Sequence, residues 1–398
     1  MNALGIIGFV LALLISVMIH EAGHFVTARH YGMKVTEFFL GFGQRLWSFR
    51  RGETEFGIKA IPAGGYCRIV GMSVHEHLTE EEKPRAFYIA SAPKRLVVLG
   101  AGSFLHFVLG FLILFVLLAG VGTTAVTSTV SEVSKCLTPA DQATFVCAAS
   151  DKPSPALVAG IQAEDEIVAI NGNEIKQWSD AVLKIRASAN RTLLITVKRN
   201  GELIQLRVTP EEHLLNGTKI GQIGVINRLG NQRQNPLDAL TNSADITRQL
   251  LKSSVTSLFS LPTKIVPLVR QTFGQEKRDA EGLVGVVGVA RVSGQTASSP
   301  RLDAPEKIAT FLLIVASLNI FVGVFNLLPL LPLDGGHMAV AIADGIRSFW
   351  AKRRGREKPA PIDVEKLTPI TIVVFVLLAA LSLLLLAADI FNPVQLNL

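Results

Sequence analysis

NALGIIGFVLALLISVMIHEAGH, from Asn2 to His24, is the stretch on which the fold turns. Asn2 to Ile19 contains no ionisable side chain. At 1.5 Å per helical residue, a run of this length matches a hydrocarbon slab about 30 Å thick. It has neither a basic start nor a small-residue cleavage site, so it is expected to stay as a spanning helix. The run ends in His20-Glu21-Ala22-Gly23-His24. Residues four apart on a helix lie about 400° round, which sets both imidazoles on one face, one turn apart. Two such nitrogens suit one zinc ion at ~2.1 Å. Glu21, about 100° away, is placed for proton exchange with water rather than for ligation. Ionisable groups at bilayer depth cost about 3 kcal/mol or more each, which argues against three of them being a polar cap with no task.

The rest of the chain agrees with a membrane setting. Only 18% of the 398 residues are charged, against roughly 25% in soluble proteins, and 49% are hydrophobic. That composition excludes a disordered chain, and a single soluble globule does not fit it. The formal charge of +7 fits anionic lipid and topology signals rather than nucleic acid, which is not expected as a partner. Three further runs lack charge: Leu96 to Gly122, whose one titratable group is His106, Ile308 to Leu333, and Thr368 to Ala388. A polytopic α-helical protein with four transmembrane helices in a lipid bilayer is expected.

Lysine and arginine in the short loops set the orientation. Residues 31–95 carry ten and residues 341–367 carry seven, including Lys352, Arg353, Arg354, Arg356 and Lys358. Both loops are expected in the cytosol, and both termini and the long 123–306 segment outside it. Within the first loop, Arg45 to Arg50 and Glu55 to Ile61 flank Gly52 as a β-hairpin.

The long segment has the pattern of a small α+β domain. Val126 to Val130 and Glu166 to Ile170 are expected strands, Ser154 to Gly160 a short helix, and Ser179 the N-cap of a second helix. Leu193 to Arg199 and Leu203 to Thr209 form a hairpin around Asn200-Gly201. Pro236 to Gly274 suits an amphipathic helix on the membrane surface, and Gly282 to Ala290 alternates like a strand. Cys136 and Cys147 share this segment, and either a disulfide or two buried thiols fits them.

Catalytic zinc takes three protein groups and leaves a place for water, so a third ligand is required. Asp334, in Asn326-Leu-Leu-Pro329-Leu-Leu-Pro332-Leu-Asp334-Gly335-Gly336-His337, is the best candidate. The first and third spans run in the same direction, so Asp334 and the two histidines fall at matching depth. A carboxylate capping the helix after Gly335 is the competing use of Asp334.

The His-Glu-x-x-His and Asn-x-x-Pro-x-x-Pro-Leu-Asp-Gly motifs, with the small domain between the second and third spans, resemble the site-2 proteases. These are intramembrane zinc metalloproteases, and the branch resembled is the bacterial one that cleaves membrane-anchored anti-sigma factors. The small domain resembles a PDZ domain, chiefly over Ser154 to Ile175. The resemblance implies zinc on His20, His24 and Asp334, with Glu21 as general base. It assigns Asn326, Pro329 and Pro332 to the substrate, together with Gly41, Phe42 and Gly43 of a hairpin that is membrane-associated on the cytosolic side. It implies a transmembrane substrate such as an anti-sigma factor, in regulated intramembrane proteolysis, and an upstream site-1-type protease that cuts first outside. The family usually has Pro and Asn where Ser103 and His106 stand, so His106 either replaces a hydrogen-bonding residue or is a neutral core histidine. A non-catalytic PDZ-containing membrane scaffold is the alternative, and it would bind no stoichiometric zinc.

The expected organisation is a first span 1–30, a hairpin-bearing loop 31–95, a second span 96–122, a PDZ-like domain 123–212, an amphipathic or linker region 213–305, a third span 306–345, a basic loop 346–367 and a fourth span 368–390.

Overall fold

Apolar runs flanked by prolines and charged residues leave the chain few choices but long helices, and a computed structural model gives their bounds. It describes residues 2–137, 147–148, 151–175, 177–215, 218–274, 276, 278–279 and 282–394. In chain order the elements begin with α1 (Asn2–His30), β1 (Val35–Arg51), β2 (Thr54–Ile69), α2 (Ala92–Val116), β3 (Thr123–Val133) and α3 (Pro155–Val158). Next come β4 (Glu166–Ile170), β5 (Asn173–Glu174), α4 (Trp178–Arg186), β6 (Leu193–Arg199), β7 (Glu202–Val208), β8 (Glu211–Leu215), β9 (Thr218–Gln222) and β10 (Val225–Gln232). The helices α5 (Pro236–Phe273), α6 (Val286–Ser298), α7 (Ala304–Asn326), α8 (Asp334–Arg353) and α9 (Thr368–Phe391) complete the chain. Among the described residues, four helices are long and apolar enough to cross a bilayer: Ala3–His30, Ala92–Val121, Ala304–Asn326 and Val364–Phe391.

The chain divides into two units, Met1–Val121 with Gln234–Leu398, and Gly122–Arg233. In the first, α2 is central and packs on α1, α7 and α8. The hairpin is longer than its turn signals suggest and doubles back: Phe38 pairs with both Phe56 and Cys67, and Leu40 with both Ile58 and Gly65. The first half of β1 therefore lies between the two halves of β2, with an outer edge running through Gly65 to Arg68.

The third span ends earlier than expected. It stops at Asn326, and α8 starts afresh at Asp334. Pro329 and Pro332 explain the break, since proline removes a backbone donor and clashes with the preceding turn. The expected strand at 282–290 is also corrected, because its latter part forms α6. The cause is tertiary: the buried carboxylate of Asp389 on α9 accepts from the backbone N–H of Gly288 at 2.7 Å, supplying the cap that the local sequence lacks. Arg278, as buried as its partner, ion-pairs with the same carboxylate at 3.3 Å. Pro236 to Phe273 does form one amphipathic helix.

The second unit is an antiparallel sheet in the order β10-β3-β4-β6-β7, with β5 on β4 and a separate β8-β9 hairpin. Its core, Val130, Ile167, Ile170, Ile195, Val197 and Val208, comes from strand positions that alternate inward and is covered by Ala156 of α3 and Ala181 and Ile185 of α4. Asn200 and Gly201 both have positive φ, as the β6-β7 turn requires. The unit extends past the expected boundary at 212 because β10 pairs with β3 and brings residues 213–233 into it. The second helix starts at Trp178 with Gln177 as its N-cap, two residues before the expected cap at Ser179. Cys136 and Cys147 are disulfide-bonded.

Candidate metal centre

The site forms where α1, α2 and the start of α8 meet. His20 and His24 are buried on one face of α1, and their Nε2 atoms lie 3.0 Å apart. Oδ2 of Asp334 is 3.2 Å from the first and 3.4 Å from the second. A tetrahedral ion with ligand bonds of ~2.1 Å has donor-to-donor edges of about 3.4 Å. The three observed edges fit one face of that tetrahedron, and a donor set of two imidazoles and one carboxylate suits zinc with the remaining apex open. Nδ1 of His24 donates to the carbonyl of Val98 at 2.8 Å, which leaves the Nε2 lone pair free for the metal.

Two close approaches make this geometry possible. A side-chain carbon on Gly102 of α2 would lie 2.5 Å from Cε1 and 2.6 Å from Nδ1 of His20, and 2.7 Å from Nε2 of His24. Gly102 therefore leaves the space that the imidazoles occupy. Gly335 lets the start of α8 tuck under the preceding loop, since a Cβ there would meet the carbonyl of Leu327 at 2.3 Å. The N-cap of α8 is Leu333, with no side-chain cap, so Asp334 turns its carboxylate to the histidines rather than capping the helix. Arg95 of α2 and Asp344 of α8 form a buried ion pair at 3.0 Å, and Asp344 also accepts from the N–H of Ile362 at 2.8 Å. Through it the ligand-bearing helix is fixed to α2.

Glu21 points away from the histidine face toward β2. A Cβ on Gly65 would lie 3.0 Å from its Cγ and 3.0 Å from Sδ of Met18. Burial, with the Glu21 carboxylate nearby, pushes the thiol of Cys67 far above its usual range, so this thiol stays protonated and inert.

Residues 8–364 match the family model described as peptidase family M50. The chain belongs to this family. It is 36% identical to the zinc metalloprotease Rip1 of Mycolicibacterium smegmatis over 99% of each chain. It is 35% identical to the protein of the same name in Mycobacterium tuberculosis over 98% of each. This M50 peptidase is a site-2-type zinc metalloprotease, and the residues its structure gathers fit that metal. Held by His20, His24 and Asp334, zinc would supply Lewis-acid polarisation of the scissile carbonyl and a lowered pKa for the attacking water.

The remaining expected site residues lie in two places. Asn326 is the last residue of α7, half-buried, with Pro329 and Pro332 in the loop that leads to Asp334. Gly41 and Gly43, both with positive φ, lie at the bend of β1 on either side of exposed Phe42. The hairpin segment against Glu21 is Gly65 to Cys67 rather than Gly41 to Gly43. Sequence reasoning missed the Val98 carbonyl and Gly102 beside the ligands, and left His106 open between a hydrogen-bonding replacement and a neutral core histidine; its Nδ1 is 2.8 Å from Oδ1 of Asn319, and its ring centroid is 5.0 Å from that of His20. A histidine and an asparagine within separate apolar spans, His106 and Asn319, were the signal that could have paired them.

Proposed function

We propose that this M50 peptidase hydrolyses peptide bonds in the transmembrane segments of single-pass proteins, of the anti-sigma-factor kind, after another protease has cut them outside the cell. The observation carrying this reading is that the metal ligands and base end an apolar span: His20, Glu21 and His24 all lie within the span Ala3–His30. A substrate reaching them has to come from the bilayer or its boundary.

In this reading His20, Glu21 and His24 lie toward the cytosolic end of α1, with Asp334 past the cytosolic end of α7 at the start of α8, and the second unit is an extracytoplasmic PDZ-like domain that excludes substrates still bearing a bulky external domain. A transmembrane helix hides its carbonyls in i to i−4 bonds, so the substrate must unwind locally before cleavage. The outer edge of β2 through Gly65 to Arg68 suits an unwound segment, which would add to it as a strand beside Glu21. Exposed Phe42, Trp47, Phe49 and Ile61 suit a hairpin seated at the cytosolic membrane surface. Asn326 would hold the substrate backbone or the developing oxyanion. Glu21 takes the proton of the water that attacks the carbonyl carbon, then returns it to the nitrogen as the C–N bond breaks.

The test is reconstitution in liposomes with a membrane-anchored anti-sigma factor lacking its external domain. Cleavage by the parent, at least about 100-fold slower cleavage by Glu21→Gln, and none by Asp334→Asn is expected. Equal cleavage by all three, or cleavage confined to soluble peptides, would overturn the reading.

A further inference from the structure

We propose that His106 is a positioning residue for the metal centre: its Nε2 accepts the Nδ1 hydrogen of His20, and Asn319 with Ser16 fixes the tautomer that makes this possible. The inference concerns how the metal is held, and it stands whichever substrate is cut.

The first observation is an unmatched donor. Nε2 of His20 faces His24 and Asp334, so with metal there the hydrogen of the neutral ring resides on Nδ1. That atom is buried and has no hydrogen-bond partner. His24 differs, since its Nδ1 is satisfied by Val98. Ligating histidines almost always donate their second nitrogen, which fixes ring orientation and raises ligand basicity. Leaving a buried donor unsatisfied is destabilising. One of the two ligands thus has its orienting partner and the other lacks one.

The second observation is a chain of hydrogen bonds that leaves one acceptor beside it. The side-chain nitrogen of Asn319 donates to the carbonyl of Val315 at 2.8 Å and to Oγ of Ser16 at 3.1 Å. Both of its hydrogens are used, so Oδ1 must accept, and the hydrogen it accepts is on Nδ1 of His106 at 2.8 Å. Nε2 of the neutral ring is then a bare lone pair. His106 is itself buried, and its ring lies 5.0 Å from that of His20 at a 40° tilt. Centroids 5.0 Å apart allow edge nitrogens of the two rings to come within hydrogen-bond reach of each other.

Position along α2 supports the pairing. Val98, Gly102 and His106 are four residues apart and share one face. On that face Val98 holds His24, Gly102 makes room for both imidazoles, and His106 is next to His20. Ser103, whose buried hydroxyl also has no partner, is the rival acceptor: it lies about 100° round from Gly102 and about 60° from His106, and the Ser103→Ala variant below separates the two.

The test is zinc affinity of the purified full chain by competition with a chromophoric chelator, paired with the visible spectrum of the cobalt-loaded protein. His106→Leu is expected to weaken zinc binding about 10- to 100-fold and shift the cobalt bands. His106→Gln, which keeps an acceptor at the same reach, is expected to recover most of the affinity. Asn319→Leu keeps the ring but frees its tautomer, and is expected to fall between the two. Ser103→Ala is expected to bind as the parent does. Equal affinity in His106→Leu and the parent overturns the proposal, as does equal weakening in His106→Leu and His106→Gln, which would mean that His106 only fills space. Should His106→Leu fail to fold, parent-like affinity and bands in Asn319→Leu overturn it.

Discussion

Nδ1 of His24 lies 2.8 Å from the carbonyl oxygen of Val98, so a helix that contributes no ligand aims one that does. The same helix presents Gly102 to both imidazoles and Arg95 to the helix bearing Asp334. Most of what shapes the metal centre is therefore on α2, between the residues that bind.

Gly102→Ala should abolish metal binding while leaving the membrane fold in place. Its new methyl would lie 2.5 Å to 2.7 Å from atoms of both histidines, and the ligand face cannot form without displacing one ring. Zinc content after dialysis and size-exclusion profile in detergent are the measurements. A zinc-replete variant would show that α2 can yield.

Glu21→Gln should keep stoichiometric zinc and lose about 10²- to 10⁴-fold in cleavage rate, the usual contribution of a positioned acid-base group. Asp334→Asn should lose both metal and activity. Chelator treatment of the parent should abolish cleavage, and added zinc should restore it. Metal analysis run beside the rate assay separates the two classes of variant.

Arg95→Ala should destabilise the fold by up to about 3–5 kcal/mol, because buried Asp344 loses its buried partner and keeps only Arg347, at 3.5 Å, and the N–H of Ile362. Thermal unfolding in detergent checks the stability. Zinc affinity should fall with it, since Asp334 begins the helix that Asp344 anchors.

His75 and Asp363 should link two loops in a pH-dependent way. Nε2 of His75 is 3.0 Å from Oδ2 of Asp363. The hydrogen bond to Asp363, then the charges of Asp363 and Glu365, raise the imidazole above its ordinary range, with Lys366 opposing. The same bond lowers the Asp363 carboxyl. For a raised imidazole the added stability is full below the ordinary histidine pKa of ~6.5 and is lost as pH rises through the folded value. It is lost again at strongly acid pH, as Asp363 protonates. Limited proteolysis of the 354–363 segment should be slower at pH 6 than at pH 8, and His75→Ala should remove the difference. The pair is exposed, so the effect should shrink in high salt.

Legibility in the sequence followed the range of the interaction. His20, Glu21 and His24 were readable because a helix repeats every 3.6 residues, and their spacing alone places them. Asp334 was readable because topology required a ligand at that depth. The Asn200-Gly201 turn was readable because only two local φ values decide it. What was hidden depends on contacts between distant segments. Nothing near Val286 predicts a helix start, because the cap comes from Asp389, about a hundred residues later. The strand after residue 212 was hidden because its pairing partner is β3. A backbone carbonyl, as at Val98, leaves no residue-type signal at all.

The most direct measurement is zinc K-edge X-ray absorption on the purified, fully loaded protein. The account predicts one zinc per chain, with two imidazole nitrogens at ~2.0–2.1 Å, oxygen at ~2.0–2.2 Å and no sulfur. A sulfur shell near ~2.3 Å, or a first shell without imidazole scattering, would contradict it.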